Sequence, residues 1–196
     1  MVSTNQAIFS KEIEGLGVFE IRPIQLETDI ETVYNWVSKP YAKYWGMNEQ
    51  SLEEVHKAYK EIEDDRFHQT YIGMLNGAPV FLTERYKASE DILANYYDAK
   101  PYDYGMHVLV APVETKISQF TWHVFSTIIE YFFSLSFVDR VVVEPDIHNE
   151  KIHVLNRKAG FVYDKEIQLP EKKAALAFCT RKSYKNALSA LNTIKS

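Results

Sequence analysis

The fold of this chain is decided by a short apolar run near its middle, YGMHVLV at residues 104–110. The run is apolar on both faces, which is typical of a strand buried inside a sheet. Only His107 interrupts it, and the two-residue repeat of a strand places His107 on the same face as Asp103, Gly105 and Leu109. A buried imidazole requires a hydrogen-bonding partner. His107 is therefore either a core histidine bonded to a backbone carbonyl or a functional side chain.

Two helices are predicted between a first strand at residues 18–24 and the middle of the chain. Thr28 followed three residues later by Glu31 forms a capping box, which predicts the start of the first helix. Ser51 with Glu54 forms a second capping box and predicts the start of the next one. In each case apolar residues follow at helical spacing, so each helix is expected to bury one face.

A hairpin is predicted after these helices. The dipeptide Asn76-Gly77 is the most favourable sequence for a tight type I′ turn, because both of its residues accept positive φ angles. Strand-like runs flank it at residues 68–75 and 79–86. The sequence therefore predicts two adjacent antiparallel strands before the run that holds His107.

The second half of the chain predicts a helix, a short strand at residues 139–143, a helix that Gly160 ends as a left-handed cap, and two last strands. The whole order is β-α-α-β-β-β-α-β-α-β-β. It predicts an α/β protein with a mixed sheet of about seven strands and helices on both faces. No linker-like composition interrupts it, so we expect a single domain over residues 1–196 with loose tails at 1–15 and 190–196.

Composition limits the possible functions. The chain has 196 residues, of which 46% are hydrophobic and 25% charged, as in ordinary folded proteins and unlike disordered or fibrous ones. The 27 acidic residues outnumber the 22 basic ones, and a net charge of -5 disfavours binding to nucleic acid or to an anionic membrane. One cysteine, Cys179, cannot cross-link the fold, and no long uncharged apolar run is present. We expect a soluble, cytoplasmic protein.

A second candidate side chain, Asp146, follows the predicted strand at residues 139–143. The carboxyl ends of strands are where open α/β sheets bind ligands. If this strand lies beside that of His107, the imidazole could take a proton near neutral pH while the carboxylate orients it. The alternative for Asp146 is a helix cap, because its side chain can accept free N–H groups at a helix start. Asp146 could orient His107 and cap the helix at the same time.

Other reactive residue types give weaker signals. The spacing of Glu144, His148 and His153 does not make a convincing ligand set, so no metal site is predicted. Positions on the surface or beside helices are expected for three further histidines: His56, His68 and His123.

The motifs DYGMH at residues 103–107 and VEPDIHN at 143–149, together with the element order, resemble the GNAT-fold acyltransferases of siderophore biosynthesis, of the aerobactin, rhizobactin and alcaligin type. The likeness covers nearly the whole chain. It includes several shorter pieces: Trp36 through Pro40, YWGM at 44–47, ERY at 84–86, Tyr96-Tyr97, AGF at 159–161 and LPEKKAAL at 169–176.

This resemblance implies transfer of an acyl group from an acyl-coenzyme A, such as acetyl- or succinyl-coenzyme A, to an N-hydroxylated amine. Hydroxylysine, hydroxyornithine and hydroxycadaverine are such amines, and the product is an iron-binding hydroxamate. His107 matches the position of the base, and Asp146 that of its partner in the site. The expected partners are the small-molecule amine and a siderophore synthetase, with no metal, nucleic acid or membrane.

The resemblance also implies where the two substrates bind. Coenzyme A is expected along strand and loop residues and near a following asparagine: Val108, Leu109, Val110, Lys116, Ile117, Ser118 and Asn149. Asn149 could equally cap the next helix. The acceptor is expected among Trp45, Met47, Glu84, Tyr86 and Asp103, with apolar walls for its methylene chain and a carboxylate for a distant ammonium. Core packing is the alternative for these side chains.

One departure from the family pattern keeps other functions open. GNAT proteins usually hold the coenzyme A pyrophosphate in a glycine-rich turn, and here residues 111–118 contain no glycine. One alternative is a non-catalytic GNAT-fold binding module or an accessory subunit of a synthetase. Another is a GNAT N-acetyltransferase for a different small amine, such as an antibiotic.

Overall fold

The computed structural model describes residues 6–112 and 117–195. Within them it contains eight strands: β1 Phe9–Ile13, β2 Gly17–Pro23, β3 His68–Leu75, β4 Ala78–Lys87, β5 Asp103–Val110, β6 Arg140–Val143, β7 Val162–Gln168 and β8 Lys173–Thr180. The α-helices are α1 Leu26–Val37, α2 Leu52–Asp64, α3 Phe120–Ser134, α4 Glu150–Lys158 and α5 Arg181–Lys195. Among these described helices, none combines the length and the apolar character needed to cross a membrane.

The strands form one mixed sheet in the order β1-β2-β3-β4-β5-β6-β8-β7. The pairs β1/β2, β2/β3, β6/β8 and β8/β7 are antiparallel, whereas β5 and β6 are parallel. The α/β class and the mixed sheet expected from the sequence are confirmed. The strand count is eight rather than seven, because β1 lies where a loose tail was expected.

The two ends of the chain are more ordered than the sequence indicates. β1 pairs with β2 from Phe9↔Ile21 to Ile13↔Gly17, so main-chain hydrogen bonds hold a segment whose apolar pattern is weak. At the other end α5 continues to Lys195, so residues 190–195 are helical instead of loose.

The chain divides into two compact units, and the first contains residues 1–85 and 107–127. Its core is built by α1, α2 and the strands beside them, with Val33, Val55, Ile72, Leu82 and Leu109 among its buried side chains. The Asn76-Gly77 turn is confirmed, with φ angles of 50° and 82°.

The two predicted helix starts in this unit have different outcomes. At α2 the Ser51 hydroxyl accepts the Glu54 N–H at 3.3 Å and Glu54 accepts the Ser51 N–H at 2.7 Å, so that capping box is confirmed. The predicted start at Thr28 is wrong. α1 begins earlier, at Leu26, because Asp29 accepts the Gln25 N–H at 2.8 Å while bound to Arg22.

The second unit contains residues 86–106 and 128–196. Leu93, Val142, Leu169 and Leu176 are among the side chains of its core. Gly160 follows α4 with a φ of +83°, as the sequence predicted for a left-handed cap. A Cβ atom there would lie 2.5 Å from the Ser183 carbonyl oxygen, so this position requires glycine for space as well as for backbone conformation.

Candidate active site

The first unit holds a cluster of polar side chains around one buried carboxylate, that of Glu84 on β4. Glu84 is only 5% exposed. The Nδ1 atom of His107 lies 2.8 Å from its Oε2 atom, and the Nε2 atom of His68 lies 3.4 Å from the same oxygen. Two imidazoles therefore share one carboxylate oxygen. We call the set of Glu84, His107, His68, Tyr59 and Trp45 the Glu84 cluster.

The strands of the sheet bring these side chains together. His68 lies eight residues before Asn76 and Glu84 lies seven residues after Gly77, so the tight hairpin brings both to its open end. His107 is on β5, and the Thr83 hydroxyl donates a hydrogen bond of 2.8 Å to its carbonyl oxygen. This bond fixes the backbone of His107 beside β4.

Two aromatic residues complete the cluster. Tyr59 on α2 is fully buried, and its oxygen accepts a 3.0 Å hydrogen bond from Nε1 of Trp45, in the short 3₁₀ helix Pro40–Trp45. The Trp45 ring meets the His107 ring edge to face, with centroids 6.2 Å apart. Burial and the neighbouring charge of Glu84 raise the pKa of Tyr59 well above its ordinary value, so this hydroxyl is neutral.

The charge state of Glu84 follows from competing effects. Burial raises the pKa of the carboxyl, but hydrogen bonds and charge from His107 and His68 outweigh it and lower the pKa to about 2. Glu84 is thus ionised at neutral pH and can only accept hydrogen bonds. The Nδ1 atom of His107 must then carry a proton, which leaves the lone pair of the neutral ring on Nε2. This choice of tautomer follows from the hydrogen bond to Glu84. The His107 side chain is 39% exposed, so its ring is accessible.

This arrangement suits general base chemistry. An imidazole held in one tautomer by a carboxylate can take a proton at Nε2, and the resulting positive charge is stabilised by that carboxylate. The structure thus brings together three residues that the sequence singled out: His107, Glu84 and Trp45. Glu84, expected to meet an ammonium of the acceptor, instead bonds to His107.

The other predicted residues of the first unit have varied positions. Met47 packs against the core, and Leu109 is buried within it. Val108 and Val110 are half-buried on β5, whereas Ser118 is exposed just before α3. Ile117 is half-buried, and its carbonyl oxygen accepts the Phe120 N–H at 3.3 Å. Lys116 lies outside the described residues.

Tyr86, in the second unit, has a structural contact. It is buried, and its hydroxyl donates a 2.9 Å hydrogen bond to Glu144. Its ring also lies against Gly105, where a Cβ atom would come within 2.0 Å of it. Tyr86 therefore packs closely against β5.

Asp103 of the second unit is the centre of a buried polar network. It is 1% exposed and accepts bonds from Nε of Arg140 at 2.8 Å, from the Tyr97 hydroxyl at 3.1 Å and from the Lys100 N–H at 2.9 Å. The second nitrogen contact of Arg140, at 2.5 Å, makes the ion pair bidentate. These bonds give Asp103 a structural role at the start of β5.

Asp146 also lies in the second unit. One of its carboxylate oxygens accepts the His148 N–H at 2.8 Å, and its carbonyl oxygen lies 3.0 Å from Nε2 of His153. Asn149 directly precedes α4, and no capping bond from its side chain is found among the described residues. Asp146 and His107 belong to different units, and their pairing stays a prediction.

His68 and Tyr59 are the members of the cluster that sequence reasoning missed. His68 was expected on the surface, but it lies half-buried against Glu84 because β3 pairs next to β4. The predicted hairpin could have indicated this contact, because its turn places residues near 68 and 84 close together. Tyr59 carried no such signal, since its helical spacing indicates only a buried face.

Comparison with known proteins supplies independent information. The family model described as acetyltransferase (GNAT) domain matches residues 25–169. An N-hydroxyputrescine acetyltransferase of Acinetobacter baumannii is 30% identical over 188 residues, covering 94% of this chain and 89% of that protein. An N(6)-hydroxylysine O-acetyltransferase of Escherichia coli is 26% identical over 80% of this chain, which spans half the length of that relative.

Solved structures show the same fold. An uncharacterized protein from Bacillus halodurans superposes with a TM-score of 0.85 at 25% identity, covering 97% of this chain and all of that one. The aminoglycoside acetyltransferase AAC(6')-Ib, solved with coenzyme A and kanamycin, has a TM-score of 0.74 at 20% identity, with 86% and 98% of the two chains covered. At that identity the likeness concerns the fold alone.

Proposed function

Since the chain belongs to the acetyltransferase (GNAT) domain family, we propose that it moves an acyl group from an acyl-coenzyme A to the hydroxylated nitrogen of a siderophore precursor. The observation that carries this proposal is the His107–Glu84 pair, an accessible imidazole oriented by a buried carboxylate. The similarity to an N-hydroxyputrescine acetyltransferase over most of both chains supports an N-hydroxylated diamine or amino acid as acceptor.

In the proposed reaction the hydroxylamine nitrogen attacks the carbonyl carbon of the thioester. A C–N bond forms, the C–S bond breaks, and coenzyme A leaves as the thiolate. Nε2 of His107 accepts the proton that the nitrogen loses, and this proton then neutralises the leaving thiolate. A hydroxylamine is largely unprotonated near neutral pH, so positioning of the two substrates supplies much of the remaining acceleration. We retain Asp146 as the second side chain of the site.

The thioester is proposed to bind along β5. The β5–β6 pairs run from Asp103↔Arg140 to Gly105↔Val142, and β5 continues for five residues beyond them, to Val110. Main-chain groups of Val108 and Val110 are suited to bind a pantetheine arm by strand addition. We assign the pyrophosphate to Lys116, Ile117 and Ser118, which precede α3 in the sequence, because the N-terminal end of a helix favours anions. We assign the pantetheine amide to Asn149.

The acceptor is proposed to lie against Trp45 and Met47, whose apolar surfaces suit a methylene chain. Acetyl- and succinyl-coenzyme A are the proposed donors. A synthetase that consumes the hydroxamate is the proposed partner, and the cytoplasm, where acyl-coenzyme A thioesters are available, is the proposed location. The non-catalytic module and the antibiotic acetyltransferase are not favoured, because the Acinetobacter baumannii and Escherichia coli relatives are named for N-hydroxyputrescine and N(6)-hydroxylysine.

The test is a matrix of donors and acceptors. Each coenzyme A thioester is incubated with N-hydroxyputrescine, hydroxycadaverine, hydroxyornithine or hydroxylysine, and with each parent amine. Free thiol release gives the rate, and iron(III) detects the hydroxamate. Enzyme-dependent thiol release with a matching hydroxamate supports the proposal. Release with parent amines alone, or with no acceptor, contradicts it.

A further inference from the structure

Two histidines meet the same oxygen of Glu84, and only one of them is needed as a base. The Nδ1 atom of His107 and the Nε2 atom of His68 lie 2.8 Å and 3.4 Å from Oε2, so these nitrogen atoms are no more than about 6 Å apart. We propose that Glu84 and His68 are positioning residues that set the proton affinity of His107 in opposite directions. The catalytic consequence of this inference rests on the proposed function.

Glu84 acts in favour of protonated His107. Its charge is buried, so water screens it weakly, and its oxygen accepts the Nδ1 proton of the ring. A fixed negative charge beside the ring stabilises the imidazolium that forms when Nε2 accepts a proton. The effect is mutual, because the same contact lowers the pKa of Glu84.

His68 acts against protonated His107. When both rings are protonated, two positive charges lie within about 6 Å and share a single carboxylate oxygen. A proton on one ring therefore weakens the attraction of Glu84 for a proton on the other ring. A neutral side chain in place of His68 would leave the whole charge of Glu84 to His107.

The two remaining members of the Glu84 cluster add no charge to this balance. Tyr59 from α2 is buried and neutral, and Trp45 from the 3₁₀ helix carries no charge. The Thr83 hydroxyl contacts the His107 backbone instead of its ring.

A direct test is nitrogen-15 NMR of the imidazoles in the full chain without substrate. His68→Gln keeps a polar side chain beside Glu84 but cannot become charged, and it should raise the titration midpoint of His107. Glu84→Gln should lower that midpoint by about one pH unit or more. His56→Gln, an exposed histidine on α2, is the matched control and should leave it unchanged. Equal midpoints in all four proteins, or shifts of one sign in both cluster variants, overturn the inference.

Kinetics give the second readout. The acid limb of the pH profile of kcat/KM reports the base of the free enzyme, so it should move to higher pH in His68→Gln and to lower pH in Glu84→Gln. Glu84→Asp retains the charge and should shift the limb less than Glu84→Gln, which a merely structural role would not produce. If Glu84→Gln does not fold, His68→Gln and Glu84→Asp still decide the question.

The NMR titrations and the activity measurements together distinguish this inference from the proposed function. Opposite NMR shifts in a protein that acylates no hydroxylamine would support the opposite effects of Glu84 and His68 and contradict the activity. Acylation with unchanged NMR midpoints and an unchanged acid limb would support the activity and overturn the roles of Glu84 and His68.

Discussion

The buried charge of Glu84 should make the unfolding free energy of this protein depend on pH between 5 and 3. The substitution Glu84→Gln should remove this dependence. Folding lowers the pKa of Glu84 from its ordinary 4.5 to about 2. Because the folded value is the lower one, ionised Glu84 stabilises the fold above pH 4.5, and this contribution is lost as the pH falls toward 2. At about 1.4 kcal/mol per pKa unit the full contribution is about 3 kcal/mol, of which about 2 kcal/mol is lost by pH 3.

Glu84→Gln has no such charge, so the difference in unfolding free energy between the two proteins should change by about 2 kcal/mol between pH 5 and pH 3. Urea unfolding followed by tryptophan fluorescence at several pH values in this window measures it. The window lies below the ordinary titration range of histidine, so the change reports mainly the carboxylate. Glu49→Gln, at an exposed position, is the control. A difference that stays constant within about 0.5 kcal/mol would refute the assigned pKa.

Two further predictions concern packing and ion pairing in the second unit. Gly105→Ala should lower the unfolding free energy by about 1–3 kcal/mol, because its Cβ would lie 2.0 Å from the Tyr86 ring; an unchanged melting temperature would show that the ring moves aside at no cost. Asp103→Asn should lower the unfolding free energy by about 3 kcal/mol, because it leaves Arg140 without its bidentate carboxylate. Urea unfolding at pH 7 measures this loss, and a loss below about 1 kcal/mol would contradict the prediction.

The sequence predicted correctly those turns and helix ends that depend only on a few adjacent residues. The Asn76-Gly77 turn, the Ser51 capping box and the Gly160 cap each depend on a few adjacent residues, and each is found. The Thr28 capping box failed because Asp29 binds both Arg22 and the Gln25 N–H, so a tertiary contact fixes the start of α1. β1 was missed because main-chain pairing to β2 holds it.

The sequence predicted several residues of the candidate site, but it did not predict which of them contact each other. The polar interruption of an apolar strand singled out His107, and the family resemblance added Glu84 and Trp45. Their hydrogen-bonding partners depend on which strands are neighbours in the sheet, and the sequence states this only for the hairpin. The role of Glu84 as the partner of His107, and the position of His68 beside it, therefore required the structure.

The central claim is that His107 is the base for acyl transfer to a hydroxylated nitrogen. Its most direct test is single-turnover formation of the hydroxamate from acetyl-coenzyme A and N-hydroxyputrescine at pH 7, compared between the unmodified protein and His107→Gln. The predicted result is hydroxamate formation that falls about 10²- to 10⁴-fold in the variant, while circular dichroism shows that the variant still folds. Equal rates in the two folded proteins, or an acetylated product that carries no hydroxamate, would contradict it.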